Sequence, residues 1–286
     1  MARLAPLSFA LVAGLSASCG RTPVDVFERE FLDELDLEED PVAEGCRKVD
    51  YLFVIDNSAS MGDNQRRLIE NFGVFIDGVQ RSQATLDSVH VGVVTTDVYA
   101  ANPEECFALG GLVTSTIGYA SSEAECGPFA EGHRYMTEQD DLATAFPCTA
   151  QVGTSGSTTE NPLEALTSAV TKFHGEGECN EGFVRDDALL VVVIVTDEDD
   201  PGPVEHRYEK LVEAKLGRSD NVVLVGLVNE PGTDCSLAGH AVEALQLHDF
   251  ITMFEHSFVA PVCGDYSVAF TRAIEVVEAA CFDAGD

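Results

Sequence analysis

Basic residues are scarce in this chain: 16 Lys and Arg stand against 50 Asp and Glu, a formal net charge of −34. A field of that sign repels phosphate backbones and anionic lipid surfaces, so no nucleic-acid binder is expected. None of the nine cysteines forms a Cys-x-x-Cys pair, which removes the usual support for zinc or dithiol redox chemistry. Gly-x-Ser-x-Gly, His-Glu-x-x-His and the P-loop are missing as well. The seven His are scattered, and His206 reads as a helix-surface residue rather than a general base. There is no internal repeat and no low-complexity tract. What is present is 286 residues, 45% of them hydrophobic, enough for one large domain or two small ones.

The N-terminus has the shape of a secretory signal. Arg3 precedes an apolar stretch from Leu4 to Leu15, too short for a spanning helix, then Ser16-Ala17-Ser18 and Cys19. Its ending resembles a bacterial lipoprotein signal, with Cys19 as the lipidated first residue; Leu15 stands one place early, and plain cleavage nearby is the alternative. Lipidation of Cys19 would leave eight cysteines for four disulfides, consistent with export to an oxidising compartment. Cys46 precedes the first strand and Cys281 ends the last helix, and domain termini often lie close together, so these two are expected to pair. Residues 1–18 therefore read as signal peptide and 19–45 as an acidic tether. Eight of the thirteen residues from Glu28 to Asp40 are acidic, with Phe27, Phe31 and Leu35 at helical spacing.

The run Tyr51-Leu52-Phe53-Val54-Ile55 reads as a strand buried on both faces. Asp56-x-Ser58-x-Ser60 follows it directly, then Met61-Gly62 and a helical pattern through Leu68, Ile69, Phe72, Phe75, Ile76 and Val79. A carboxylate and two hydroxyls on such a loop are hard oxygen ligands of the kind Mg²⁺ takes. Further along, Ser88 to Asp97 reads as a strand, with Asp97 as its terminal turn. From 98 to 152 the pattern loosens into a long excursion containing Cys106, Cys126 and Cys148, where part of any partner specificity is expected. The hydroxyl-rich stretch Gly153 to Thr159 leads into Asn161-Pro162-Leu163-Glu164, a good helix start with Asn161 as N-cap. Leu163, Leu166, Val170 and Phe173 mark that helix. Ala188 to Asp197 is the most apolar run of the mature chain and reads as a central strand, ending in Thr196-Asp197-Glu198-Asp199-Asp200. Four acids in a row repel one another unless a cation or solvent intervenes. A helix over Val204–Leu216, a strand over Val222–Val228, a helix over Leu237–Leu247 and a closing helix through Phe270, Ile274, Val277 and Cys281 complete the reading.

Buried strands alternating with amphipathic helices predict a doubly wound α/β fold with a mostly parallel central sheet. Asp-x-Ser-x-Ser after a hydrophobic strand, a hydroxyl loop before a helix and an Asp ending a later strand resemble, in that order, the metal-ion-dependent adhesion site of von Willebrand factor type A domains. The resemblance covers roughly residues 46–282, with Glu198 where the family usually has Gly. It implies that Ser58, Ser60 and a Thr bind Mg²⁺ or Mn²⁺, with Ca²⁺ as the alternative ion. Asp56 and Asp197 would act directly or through water. Thr158 fits the family's distance to the helix and Thr154 its Gly-Thr context, and both stay open. The function so implied is a non-enzymatic adhesion or assembly module at the bacterial envelope, touching the membrane only through a lipid on Cys19. Its partner would be a protein offering an acidic side chain. A scaffold without metal, or a metal-assisted hydrolase, are the alternatives.

Overall fold

A computed structural model describes residues 46–82, 86–235 and 243–283. The expectations for the signal segment, Cys19 and the tether lie outside these residues. Strands β1 (Lys48–Ile55), β2 (Ser88–Thr95), β3 (Met136–Thr137), β4 (Leu189–Val195), β5 (Val222–Val228) and β6 (Ser257–Pro261) form one sheet in the order β3-β2-β1-β4-β5-β6. Every pairing is parallel except the short edge strand β3 on β2. This is the expected α/β doubly wound sheet, and its strand order reverses direction between β1 and β4, where such folds bind ligands beyond the carboxyl ends.

Both faces of the sheet are covered, which is why β1, β4 and β5 read as continuous apolar runs rather than alternating ones. Tyr51, Phe53 and Ile55 of β1 pack with Phe72 and Phe75 of helix α1 (Gly62–Ser82), Phe146 of α2 (Leu142–Ala150) and Phe270 of α6 (Tyr266–Asp283). Leu52 and Val54 face the other way, toward α3 (Pro162–Thr171), α4 (Val204–Ala214) and α5 (Leu245–Thr252). Among the described residues no helix is long and apolar enough to cross a membrane.

Four disulfides join Cys46 to Cys281, Cys106 to Cys179, Cys126 to Cys148 and Cys235 to Cys263. The first is the expected staple of the domain ends. Such a set suits an oxidising, extracellular type of compartment. The excursion is organised by Cys126–Cys148 and by Tyr99, whose hydroxyl donates to Val152 O at 2.7 Å. It carries α2 and the edge strand β3, neither of which has an apolar repeat long enough to announce itself.

Two helix starts differ from expectation, for one reason. Asn161 makes no side-chain cap; the Asp200 carboxylate accepts from Leu163 N at 3.0 Å instead. The helix expected over 237–247 runs over Leu245–Thr252, where Asp199 accepts from Gln246 N and Leu247 N; residues 236–242 lie outside the described set. Carboxylates from one distant loop thus satisfy the free N–H groups of both helices. Phe173, placed in the helix by periodicity, lies beyond its end with φ 64°.

At the opposite, amino-terminal end of the sheet, Asp50 is fully buried. It accepts from Arg185 N at 2.7 Å and from Arg185 Nε at 2.8 Å, and Arg185 Nη1 donates to Ser88 Oγ at 2.8 Å. Burial pushes the Asp50 carboxyl up to about 6 against the pull of the guanidinium, so the pair is ionised at neutral pH. Arg185→Met leaves that charge buried without its partner and should cost about 3 kcal/mol in urea denaturation. The double variant with Asp50→Asn should recover much of the loss. A single-variant change below about 0.5 kcal/mol, within the range of ordinary surface substitutions, would show the pair to be irrelevant to stability.

Candidate metal site

β1 delivers Asp56 to the carboxyl edge of the sheet, and β4 delivers Asp197 beside it. Asp56 N donates to Val195 O at 3.0 Å, so the ladder between these two strands runs up to the site. Asp56 is fully buried and Asp197 nearly so. Asp56 Oδ1 accepts from Ser58 N at 2.7 Å, the turn that folds the Asp-x-Ser-x-Ser loop back over its own carboxylate. The Ser58 and Ser60 hydroxyls lie 3.3 Å apart, the first residue buried and the second exposed to an incoming ligand.

Thr196 joins the site without any signal in the sequence. Its Oγ1 donates to Asp56 Oδ2 at 2.6 Å and accepts from Glu198 N at 3.1 Å, linking the two acidic loops through one hydroxyl. The turn therefore accommodates Glu198 where a Gly would be usual. The acidic run also divides by role. Asp199 and Asp200 turn away to cap α5 and α3, and Asp200 Oδ1 takes Arg207 Nη1 at 2.6 Å. Asp197 and Glu198 are left facing Asp56. Burial, together with the Asp197 charge, raises the Asp56 carboxyl above its ordinary value, and burial, Asp56 and Asp197 raise Glu198.

The hydroxyl loop is bound to this edge by backbone rather than by its threonines. Gly156 N donates to Asn57 O at 2.8 Å, and Ser157 N donates to Asp97 Oδ2 at 2.8 Å, while Asp97 Oδ1 accepts from Asn57 Nδ2 at 3.1 Å. Asp97 is thus a tie between two loops, more than a local turn residue. The approach is so close that a Cβ on Gly156 would collide with the Asn57 amide. Gln65 of α1 completes the tie, donating to Asp56 O at 2.9 Å and Gly153 O at 2.8 Å and accepting from Gly153 N at 3.1 Å.

Thr154 lies half-buried near Gly62, its hydroxyl 3.4 Å from Tyr119 O, and Thr158 is exposed. The residue of this segment that reaches inward is Glu160, 1% exposed, whose Oε2 accepts from the Thr96 hydroxyl. Burial first, then the Asp56 charge, pushes its carboxyl up to about 8, with Asp97 and Glu198 adding to the repulsion. From α6, buried Tyr266 stands near Asp197, and Arg67 lies 5.3 Å over its ring. No sequence rule flags Gln65, Thr196 or Tyr266; Glu160 is readable only as the acid before a helix.

The donor set is carboxylate and hydroxyl oxygen, which suits a hard divalent cation. Among the described residues no three His, Cys, Asp or Glu side chains form a ready-made metal cage, so a cation here would rest largely on hydroxyl and water oxygens. Among those same residues Glu160 Oε1 is a buried carboxylate oxygen without a hydrogen-bond partner, which is consistent with a missing positive charge.

No protein-family model matches the sequence, and no curated protein matches it. Some solved structures are partly similar to it. Proximal thread matrix protein 1 from the mussel byssus, in its second crystal form, gives a TM-score of 0.44 at 13% identity over 82% of this chain and 49% of its own. A von Willebrand factor type A structure from Catenulispora acidiphila gives 0.42 at 13% identity, over 82% and 43%. A further structure of the mussel protein gives 0.39 at 18% identity, over 84% and 47%. The chain spans under half the length of each of these structures.

Proposed function

We propose that this chain is a cation-dependent protein-binding module. Ser58 and Ser60 would hold Mg²⁺ or Mn²⁺ by their hydroxyls, with Asp56 and Asp197 supplying charge directly or through water. The ion supplies an electrophilic centre whose remaining position takes a carboxylate from an acidic side chain of a protein partner. The observation that carries this reading is the meeting of two buried carboxylates, Asp56 and Asp197, beside paired hydroxyls at the switch point of a doubly wound sheet. With few charged ligands around it, a divalent ion keeps enough field to recruit one more anion. The resemblance of the Asp-x-Ser-x-Ser loop to type A adhesion sites supports the same assignment. Export, with a lipid on Cys19 holding the module at the bacterial envelope, fits the signal-like N-terminus and the disulfides.

Calorimetric titration of the full chain with MgCl₂ and MnCl₂ tests it. One saturable site per chain is expected. A folded chain that takes up neither ion would overturn the reading and leave a scaffold without metal.

A further inference from the structure

We infer that Glu160, and neither Thr154 nor Thr158, is the residue through which the hydroxyl loop serves the cation site. The inference rests on the metal reading above and sharpens it.

Three observations converge on this carboxylate. It is almost completely buried, although it lies on a loop whose neighbours Thr158 and Thr159 are exposed. One oxygen is fixed by the Thr96 hydroxyl at the end of β2, while the other, Oε1, is buried with no hydrogen-bond partner among the described residues. It also lies near enough to Asp56, Asp97 and Glu198 for their charges, after burial, to raise its carboxyl. Ionising a buried, half-satisfied carboxyl among other carboxylates is unfavourable in the empty fold, and a divalent cation is the ligand that relieves both faults at once.

The threonines offer less. The Thr154 hydroxyl is turned to the Tyr119 carbonyl, and Thr158 is on the surface. The loop's fixed points, Gly153 on Gln65, Gly156 on Asn57 and Ser157 on Asp97, hold the segment while Glu160 is the side chain turned inward, onto Thr96. Because no three carboxylates among the described residues are gathered at ligating distance, Glu160 acts through an intervening water, as a positioning residue for the ion's shell. Ionised beside the bound ion, it adds a third negative charge to those of Asp56 and Asp197. That strengthens the hold on the cation and weakens the pull of the bound ion on a partner's carboxylate.

Glu160→Gln keeps the shape and an acceptor for Thr96 while removing the charge. Titration of the full chain with MgCl₂ should show about a tenfold or greater loss of affinity in this variant. Thr154→Ala and Thr158→Ala should stay within about threefold of wild type, on the same principle that only shell residues matter to the ion. Thr96→Val, which releases Glu160 without altering it, should weaken binding by a smaller factor and serves as the check if the first variant folds poorly. A thermal melt without metal adds a second readout: Glu160→Gln should melt no lower than wild type, because the neutral amide keeps the shape and the acceptor for Thr96.

The outcomes separate. Wild-type binding with a folded Glu160→Gln unchanged overturns this inference and leaves the metal reading intact, whatever the threonine variants do. A folded wild type that binds neither Mg²⁺ nor Mn²⁺ overturns both.

Discussion

Asp56→Asn should weaken Mg²⁺ binding by at least about a thousandfold, roughly 4 kcal/mol, without lowering the melting temperature of the metal-free chain. The two halves of this expectation have the same origin. Asp56 is buried beside Asp197, Glu198 and Glu160, and its carboxyl is raised by burial and by the Asp197 charge, so ionisation is unfavourable in the empty site. A divalent cation reverses that balance, because it meets several carboxylates at once. The Asn amide retains the geometry: its oxygen accepts from Ser58 N, and its NH₂ donates to the Thr196 hydroxyl, which can still accept from Glu198 N. Calorimetry and a thermal melt on the same preparation check both halves. Unchanged affinity would remove Asp56 from the site, and a large drop in melting temperature would make it a structural residue instead.

The other large effect is on stability and lies at the far end of the strand. Replacing Cys46 and Cys281 together by Ser opens a covalent loop whose ends are 235 residues apart in sequence. The chain-entropy account assigns such a closure about 5 kcal/mol, toward the top of the range for disulfides, because so much of the unfolded chain is constrained. For a domain of this size that corresponds to a fall of about 10–20 °C in melting temperature under non-reducing conditions. A fall of less than about 3 °C would mean that the unfolded chain is already compact without the bridge. Metal affinity in the variant lacking the staple should stay near wild type at temperatures where it is folded. Cys46 precedes β1 and Asp56 follows it, so the eight residues of that strand, about 25 Å when extended, separate the staple from the site. Measured side by side, the two variants distinguish what holds the domain together from what the domain holds.

The fold is legible in the sequence because it rests on local signals. The runs from Tyr51 to Ile55 and from Leu189 to Val195 are apolar at every position, as strands are only when both their faces are covered. That already implies helices on either side, so the parallel sheet and its helix layers can be read along the chain. The Cys46–Cys281 pairing follows from the general closeness of domain ends. The Asp-x-Ser-x-Ser loop is legible for a similar reason, since Asp56, Ser58 and Ser60 are neighbours in sequence and their turn is built from their own backbone.

How distant loops share their polar groups is another matter. Asp197, Glu198, Asp199 and Asp200 look alike as a run of acids. Only the fold sends Asp199 to the start of α5 and Asp200 to the start of α3 and to Arg207, leaving Asp197 and Glu198 to the site. Asn161 looks like a cap by the local rule, yet a carboxylate from beyond β4 takes its place. Thr154 and Thr158 fit the spacing, but the backbone ties at Gly153, Gly156 and Ser157 turn Glu160 inward instead. Periodicity reports which face of an element is apolar. It carries no information on which buried N–H groups and carboxylates come within reach of one another. Local patterning was therefore enough to define the sheet, the staple and one candidate ligand loop. Where each acid ends up was decided only where the loops meet across the sheet edge, since that meeting fixes which carboxylates find N–H donors and which face each other.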